Sequence, residues 1–335
     1  APYSMNWNAT WQYEFAPTWL LDMSYQGSAG VGLLNSWDIN AIPLDVSSDR
    51  ATLDRIYQNT QAYKPFTNFG SVRLWSNFGH STYHSATVKV EKRFSRGLTL
   101  DSFYTKSRVI SEADDDSAAS GISYYNRRLE KGRTNFDVSN RWVTHALYEL
   151  PVGRGRHWMN RGGVFDYLLG GWNIAVIQTF QSGTPVAFTM GGSPNRYLPG
   201  AQRPIQTASN GDIIVKDYKL GDRFNNSLKN PMWNIKGFAY PAAYTPGTVG
   251  RNTIEGPAVN WTQTSVAKNF RFREKYNLDV RFDAQNIFKT PNYRNPNSVV
   301  NLTNSSAFGK PTNTVAGIDS LGGRFVGYFQ VKLSF

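Results

Sequence analysis

The chain has 335 residues, a formal net charge of +12, no cysteine and 14% aromatic residues, with a mean hydropathy of −0.46. It is too polar for a helical membrane protein and too aromatic for a disordered chain. The longest uncharged run, Tyr167 to Asn195, contains Gly170-Gly171, Asn173, Gln178, Gln181 and Ser182-Gly183-Thr184-Pro185, which excludes a spanning helix. Length alone suggests about two domains. The lack of cysteine fits an oxidising compartment, although cytosolic proteins lack it too. Ala1 follows no signal peptide and no initiator Met, as in a mature product or a fragment.

In chain order, period-2 alternation predicts four hairpins. Trp7, Ala9, Trp11, Tyr13 and Phe15 alternate with polar residues and, after Ala16-Pro17-Thr18, pair with Trp19, Leu21, Met23 and Tyr25. Ala86, Val88, Val90 and Phe94 oppose Ser85, Thr87, Lys89, Glu91 and Arg93, with a turn at Ser95-Arg96-Gly97 leading into Leu98 to Lys106. A third hairpin joins Trp142 to Leu150 with Trp172 to Gln181. A fourth pairs Trp261 to Phe270 with Lys275 to Phe288, where Leu278, Val280 and Phe282 oppose Asp279, Arg281, Asp283 and Gln285.

The last twelve residues, Arg324 to Phe335, alternate too: Phe325, Gly327, Phe329, Val331, Leu333 and Phe335 share one side. A strand of about ten residues crosses a bilayer at a barrel tilt, and ending on Phe resembles the assembly signal of outer-membrane barrels. The same alternation fits an edge strand of a soluble β-sandwich, because period 2 does not say what buries the strand.

Connection lengths separate the two. Short turns alternate with long connections, Ser28–His84, Ser107–Arg141, Thr184–Asn260 and Lys289–Gly323. Compact soluble domains rarely use such loops, whereas outer-membrane barrels have short periplasmic turns and long extracellular loops. Aromatics near strand ends (Trp7, Trp19, Phe94, Trp142, Trp172, Trp261, Phe288, Phe335) fit interfacial girdles. The predicted class is all-β, an antiparallel transmembrane barrel occupying residues 1–335. Trp7, Trp11, Leu278, Val280, Phe282, Val331 and Leu333 are expected to face lipid, and Asn8, Gln12, Asp279, Arg281, Asp283, Gln330 and Lys332 the lumen.

Several motifs in a shared order carry a family resemblance: Tyr83-His84-Ser85-Ala86 with Glu91-Lys92-Arg93-Phe94; Asp137-Val138-Ser139-Asn140-Arg141; Tyr148-Glu149-Leu150-Pro151-Val152-Gly153-Arg154-Gly155; Gly170-Gly171-Trp172; Ser182-Gly183-Thr184-Pro185; Gly250-Arg251-Asn252 with Gly256-Pro257; and Arg281-Phe282-Asp283-Ala284-Gln285-Asn286-Ile287-Phe288. Nearly end to end, the chain resembles the C-terminal barrel half of TonB-dependent receptors related to the Oar adhesion proteins, the carboxypeptidase-regulatory-like-domain receptors of acidobacteria and myxobacteria. It departs at Asn140, where the family usually has His, at Gln285 (Phe) and at Lys289 (Asn). The resemblance implies about ten C-terminal strands of a barrel of about twenty-two, with the plug and the TonB box outside this chain. It also implies energised import or export of an unidentified substrate. Ten strands closing as a small barrel is the alternative.

No catalytic, cofactor or metal site is expected, and the chain is read as not an enzyme. His80 and His84 have an i,i+4 spacing, but in a strand or loop context. Glu112, Asp114, Asp115 and Asp116 lack EF-hand spacing and read as a solvated charge run. Gly27, Gly30 and Gly32, and Gly153 to Arg156, read as turns rather than phosphate loops. Basic residues are dispersed, which argues against nucleic acid. In Thr184–Asn260, Arg196, Arg203, Lys216, Lys219, Arg223, Lys229, Lys236 and Arg251 outnumber Asp212, Asp217, Asp222 and Glu255. This predicts a mildly cationic mouth, suited to an anionic substrate or to lipopolysaccharide.

Lys89, Glu91, Asp279, Arg281, Asp283 and Gln285 are the lumen-facing candidates, either contacting substrate or stiffening the wall and seating the plug. Phe335 is the assembly signal. The expected partners are outer-membrane lipid and lipopolysaccharide, TonB through an N-terminal region, the barrel-assembly machinery and the unidentified substrate. An adhesion or structural barrel and a soluble carbohydrate-binding β-domain are the rival functions.

Overall fold

A computed structural model describes residues 1–43, 46–114, 126–153, 155–160, 163–191, 202–215, 231–272, 276–311, 314–315 and 324–335. Nine long strands form one sheet: β1 (Tyr3–Ala16), β2 (Trp19–Asp38), β3 (Arg73–Ser95), β4 (Leu98–Ser111), β5 (Asn140–Glu149), β6 (Trp172–Gln181), β7 (Val259–Phe272), β8 (Tyr276–Gln285) and β9 (Val326–Ser334). Each pairs antiparallel with its sequence neighbour, in order β1 to β9, and the two-residue strand Gly132–Arg133 adds to β4. Among the described residues β1 pairs only with β2 and β9 only with β8, so the sheet is open. No helix of the described residues is long and apolar enough to cross a membrane.

The short turns follow local chemistry. Arg96 and Gly97 join β3 to β4 with φ of 51° and 82°, the two positive values that a two-residue hairpin turn requires to match strand twist. At β1–β2, Thr18 takes φ 72° after Pro17, and the Thr18 carbonyl accepts Arg93 N at 2.8 Å.

Two expectations need correction. Strand pairing runs further than alternation suggested: β2 continues through Ser28 to Asp38 against β3 residues back to Arg73, past bulges at Val31, Leu33 and Leu34. The first long connection is therefore residues 39–72, not Ser28–His84. Backbone ladders tolerate the Gly- and Asn-rich segment once register is set lower down. With 20 and 23 residues, β2 and β3 are about twice the length that a bilayer needs.

The second correction concerns strand direction, because Val299–Val300 pairs parallel with Thr189–Met190. These dipeptides belong to different connections, so no hairpin constrains their direction.

The connections carry their own core. Val186, Phe188, Ile213, Met232, Trp233, Phe238, Val249, Ile254, Tyr293, Val300 and Phe308 form one buried cluster drawn from residues 184–258 and 286–325. Ile42, Leu53, Ile56 and Tyr244 form another, joining 39–72 to the connection that carries Tyr244. Helix α1 (Arg50–Gln58) supplies Leu53 and Ile56, and its N-cap Asp49 accepts from Thr52 N. Apart from Trp37, Val143, Val259 and Ala284, which lie in the long strands, the buried apolar side chains sit in the connections.

Candidate functional site

Register across the sheet separates two faces, since directly opposed residues of an antiparallel ladder share a side. One row runs Leu20, Glu91, Asp101, His145, Ile177, Gln263, Gln285 and Val326. The neighbouring rows on that face hold Asp22 with Lys89, Ser265 with Asp283 and Tyr328, Ala267 with Arg281 and Gln330, and Asn269 with Asp279 and Lys332. All six candidates, Lys89, Glu91, Asp279, Arg281, Asp283 and Gln285, thus lie on one face, with Asn8 and Gln12.

The structure gathers them into two groups rather than one. Lys89 Nζ lies 3.1 Å from Glu91 and 3.5 Å from Asp101. Five strands away, Arg281 Nε contacts Asp283 at 2.7 Å at the edge of a cavity of about 320 Å³ lined also by Ile177, Gln263, Gln285 and Tyr328. Asp279 accepts instead from Asn269. Asp101 and His145 were missed by alternation, because β4 and β5 carry Phe103 and Val143 among the polar residues of this face.

The opposite face is apolar and exposed. Trp7, Trp11, Tyr13, Phe15, Met23, Val88, Tyr104, Trp142, Phe180, Phe282, Phe329, Val331 and Leu333 are all at least 40% exposed. Its central polar groups pair with each other: Ser102 with Thr144 at 2.8 Å, and Gln178 with Thr262. Two lysines stand on it at the short-turn end. Lys92 Nζ donates to Ser95 O at 3.0 Å over the Trp19 ring. Lys268 donates to Gly170 and Leu168 carbonyls over Trp172 and Phe270. Both are buried, with their stems along aromatic surface and their ammonium groups capped by backbone carbonyls.

At the long-loop end the sequence motifs converge. Asp137 accepts Val109 N at 3.1 Å and Arg133 Nε at 2.7 Å. Ser107 donates to Val138 O, and Asn140 Oδ1 accepts from Tyr104 at 2.6 Å. Ser182 Oγ accepts from Asn140 N. A Cβ on Gly183 would sit 2.1 Å from Gly256 O, so this glycine allows the two backbones to meet.

Salt bridges lock the motifs together. Arg133 reaches Glu255 at 2.9 Å, and Arg251 donates to Ser111 O, Glu130 O and Asp114. Arg203 pairs with Glu130 at 2.8 Å, both nearly buried. Burial pushes the Arg203 guanidinium down from its ordinary value, against the raising pull of Glu130.

These contacts revise two expectations. The acidic run is not simply solvated: Glu112 pairs with Arg127, and Asp114 is taken up by Arg251, Asn252 and Asn135 N. Asp115 and Asp116 lie outside the described residues. In the predicted cationic mouth, Arg251 is a buried clamp and Arg203 a nearly buried one, whereas Arg196, Lys216, Lys219, Arg223, Lys229, Asp217 and Asp222 lie outside the described residues. Sequence order could not reveal this, since Arg251 and Asp114 are 137 positions apart.

His80 and His84 both sit on β3, where four residues span about 13 Å, too far to share a metal ion. His84 Nδ1 instead meets Tyr25 Oη at 2.7 Å. Phe335, the expected assembly signal, is 89% exposed beyond β9.

The model of the outer membrane beta barrel domain family matches residues 1–326. A solved structure with similar coordinates is the outer membrane transporter YddB from Escherichia coli, at 9% identity and a TM-score of 0.48. The similarity covers 99% of this chain and 32% of that one, so this chain spans about a third of its length. No curated protein matches significantly. The chain belongs to the outer membrane β-barrel domain family, and its location is the outer membrane.

Proposed function

We propose that this outer-membrane chain is the C-terminal wall of a TonB-dependent receptor of the Oar-like type, which moves an unidentified substrate through a plugged barrel of about twenty-two strands. The observation that carries this reading is the segregation of faces: a continuous exposed apolar face opposite one holding both charged clusters. Large exposed apolar patches need a covering, and in the outer membrane hydrocarbon supplies it. The polar face then lines the lumen.

Both open edges support a larger barrel. In lipid every unpaired backbone group costs several kcal/mol, so β1 and β9 require partner strands, which we assign to further strands of the same polypeptide. Lys89, Glu91 and Asp101, with Arg281 and Asp283, would stiffen the wall or seat the plug, and no chemistry is assigned to them. The long-loop end is external, and its clamped connections form a fixed surface for binding substrate.

The same rigid surface favours a second reading, an adhesion barrel without active transport. In cells making the full-length receptor, crosslinking to the periplasmic domain of TonB is expected for a transporter and absent for an adhesion barrel. Because the chain has no cysteine, single cysteines test the faces directly. In lipid vesicles Gln330→Cys should react with a water-soluble maleimide, and Val331→Cys should be protected. The reverse pattern would sink the lumen assignment.

A further inference from the structure

At the long-loop end of β2–β4 a cavity of about 980 Å³ opens on the apolar face of the sheet rather than on the polar one. Its floor is two adjacent rows of that face. The upper row runs Trp7, Gly27, His84 and Arg108 and the lower Ala9, Tyr25, Ala86, Lys106 and Asn140; of these, Tyr25, His84, Ala86, Lys106 and Arg108 line the cavity. A Cβ on Gly27 would lie 2.2 Å from the Trp7 indole, so the missing side chain lets that ring lie across β2 toward His84, 6.0 Å between centroids. Tyr25 stacks on His84 from the other row.

Above this aromatic floor stand cations. Lys106, Arg108, Lys131, Arg133 and Arg251 line the cavity, and among the described residues no carboxylate does. Arg133 and Arg251 are neutralised by Asp137, Glu255 and Asp114. Lys106, Arg108 and Lys131 are exposed, and no salt bridge among the described residues engages them. Two and four residues below Lys106 on the same face, Tyr104 and Ser102 begin the descent into the apolar band that Leu100 and Leu98 continue. The cations therefore stand where hydrocarbon gives way to headgroups. A lumenal solute cannot reach them through the sheet.

We propose that this cavity holds a phosphate of a phosphorylated glycolipid of the outer leaflet, of the lipid A class, with the acyl chains against Trp7, Met23, Val88 and Tyr104. Free phosphate shares the anion chemistry but not the apolar floor. Exposed aromatic and apolar surface directly beneath the charges favours the lipid source. The inference rests on the reading of the long-loop end as external.

The test uses the full-length receptor in detergent, with bis-phosphorylated lipid A as the probe and binding followed by native mass spectrometry. Lys106→Ser with Arg108→Ser should weaken binding at least fivefold. Arg93→Ser, exposed at the other end of β3, should leave it unchanged. Heat-modifiable electrophoretic mobility checks folding, and if the double variant fails to insert, Arg108→Gln should still weaken binding at least twofold. Unchanged binding in these variants overturns the proposal. So does equal binding of dephosphorylated lipid A, which would leave only greasy adhesion. Displacement by equimolar inorganic pyrophosphate would overturn it too, by reassigning the cavity to a soluble anion. Whole-cell labelling of a cysteine at Asn304 separates the two readings. An external label with no lipid effect sinks the lipid site alone, and an internal label sinks the sidedness and the proposal with it.

Discussion

Glu255 Oε1 lies 2.9 Å from Arg133 Nη1 and accepts a hydrogen bond from Ser139 Oγ at 2.7 Å, tying the connection before β7 to the one before β5. Pro185 and Val186 pair with Glu255 and Ile254 beside this contact. The long-loop end is therefore held by cross-connection bonds.

The two acidic clamps should differ in weight. The Glu255 side chain is 34% exposed and Glu130 only 6%. Glu255→Ala should cost under about 1 kcal/mol of local stability, while Glu130→Ala strands the buried Arg203 and should cost about 3 kcal/mol. Hydrogen exchange of the amides around Ile205 and Val249 measures both. Equal effects would show that burial is not what distinguishes them.

The connection core predicts a cavity effect. Phe188 is 1% exposed and packs on Trp233 and Phe238 at centroid distances of 4.9 and 4.8 Å. Phe188→Ala should cost about 3 to 5 kcal/mol and speed proteolysis of the connections while the membrane strands stay intact on gels.

Helix α1 should be acid-sensitive. The side-chain and backbone hydrogen bonds from Thr52 hold the Asp49 carboxyl below its ordinary value. Its folded pKa is depressed, so its contribution is present above the unfolded pKa, about 3.9, and is lost as pH falls through the lower folded value. Fraying of residues 50–58, read by protease cleavage at Arg55, should rise only below about pH 4 in the native protein. Asp49→Asn should remove that pH dependence.

Phe335 is expected to matter for assembly rather than for the inserted protein. Truncating one exposed side chain ordinarily costs under about 0.5 kcal/mol. Deleting Phe335 from the full-length receptor should lower its amount in the outer membrane severalfold, with the melting of inserted protein barely shifted. Wild-type insertion of the deletion mutant would reduce Phe335 to an ordinary strand end.

Alternation by itself determined the strands that contact a uniform environment. The cores of β1, β3, β8 and β9 were legible because period 2 places Trp7, Val88, Val280 and Val331 on one side whatever the rest of the chain does. The polar face was legible for the same reason, with Lys89, Glu91, Asp279, Arg281, Asp283 and Gln285 sharing it.

Only the tertiary structure decided the connections. Continuing β2 to Asp38, pairing Val299 parallel with Thr189, and joining Arg203 to Glu130 and Arg251 to Asp114 all depend on partners far along the chain. No short-range period encodes those partners. The energy that selects them comes from burying Phe188, Trp233 and Phe308 together, and a lone aromatic in a polar segment gives no sign of where its neighbours will come from.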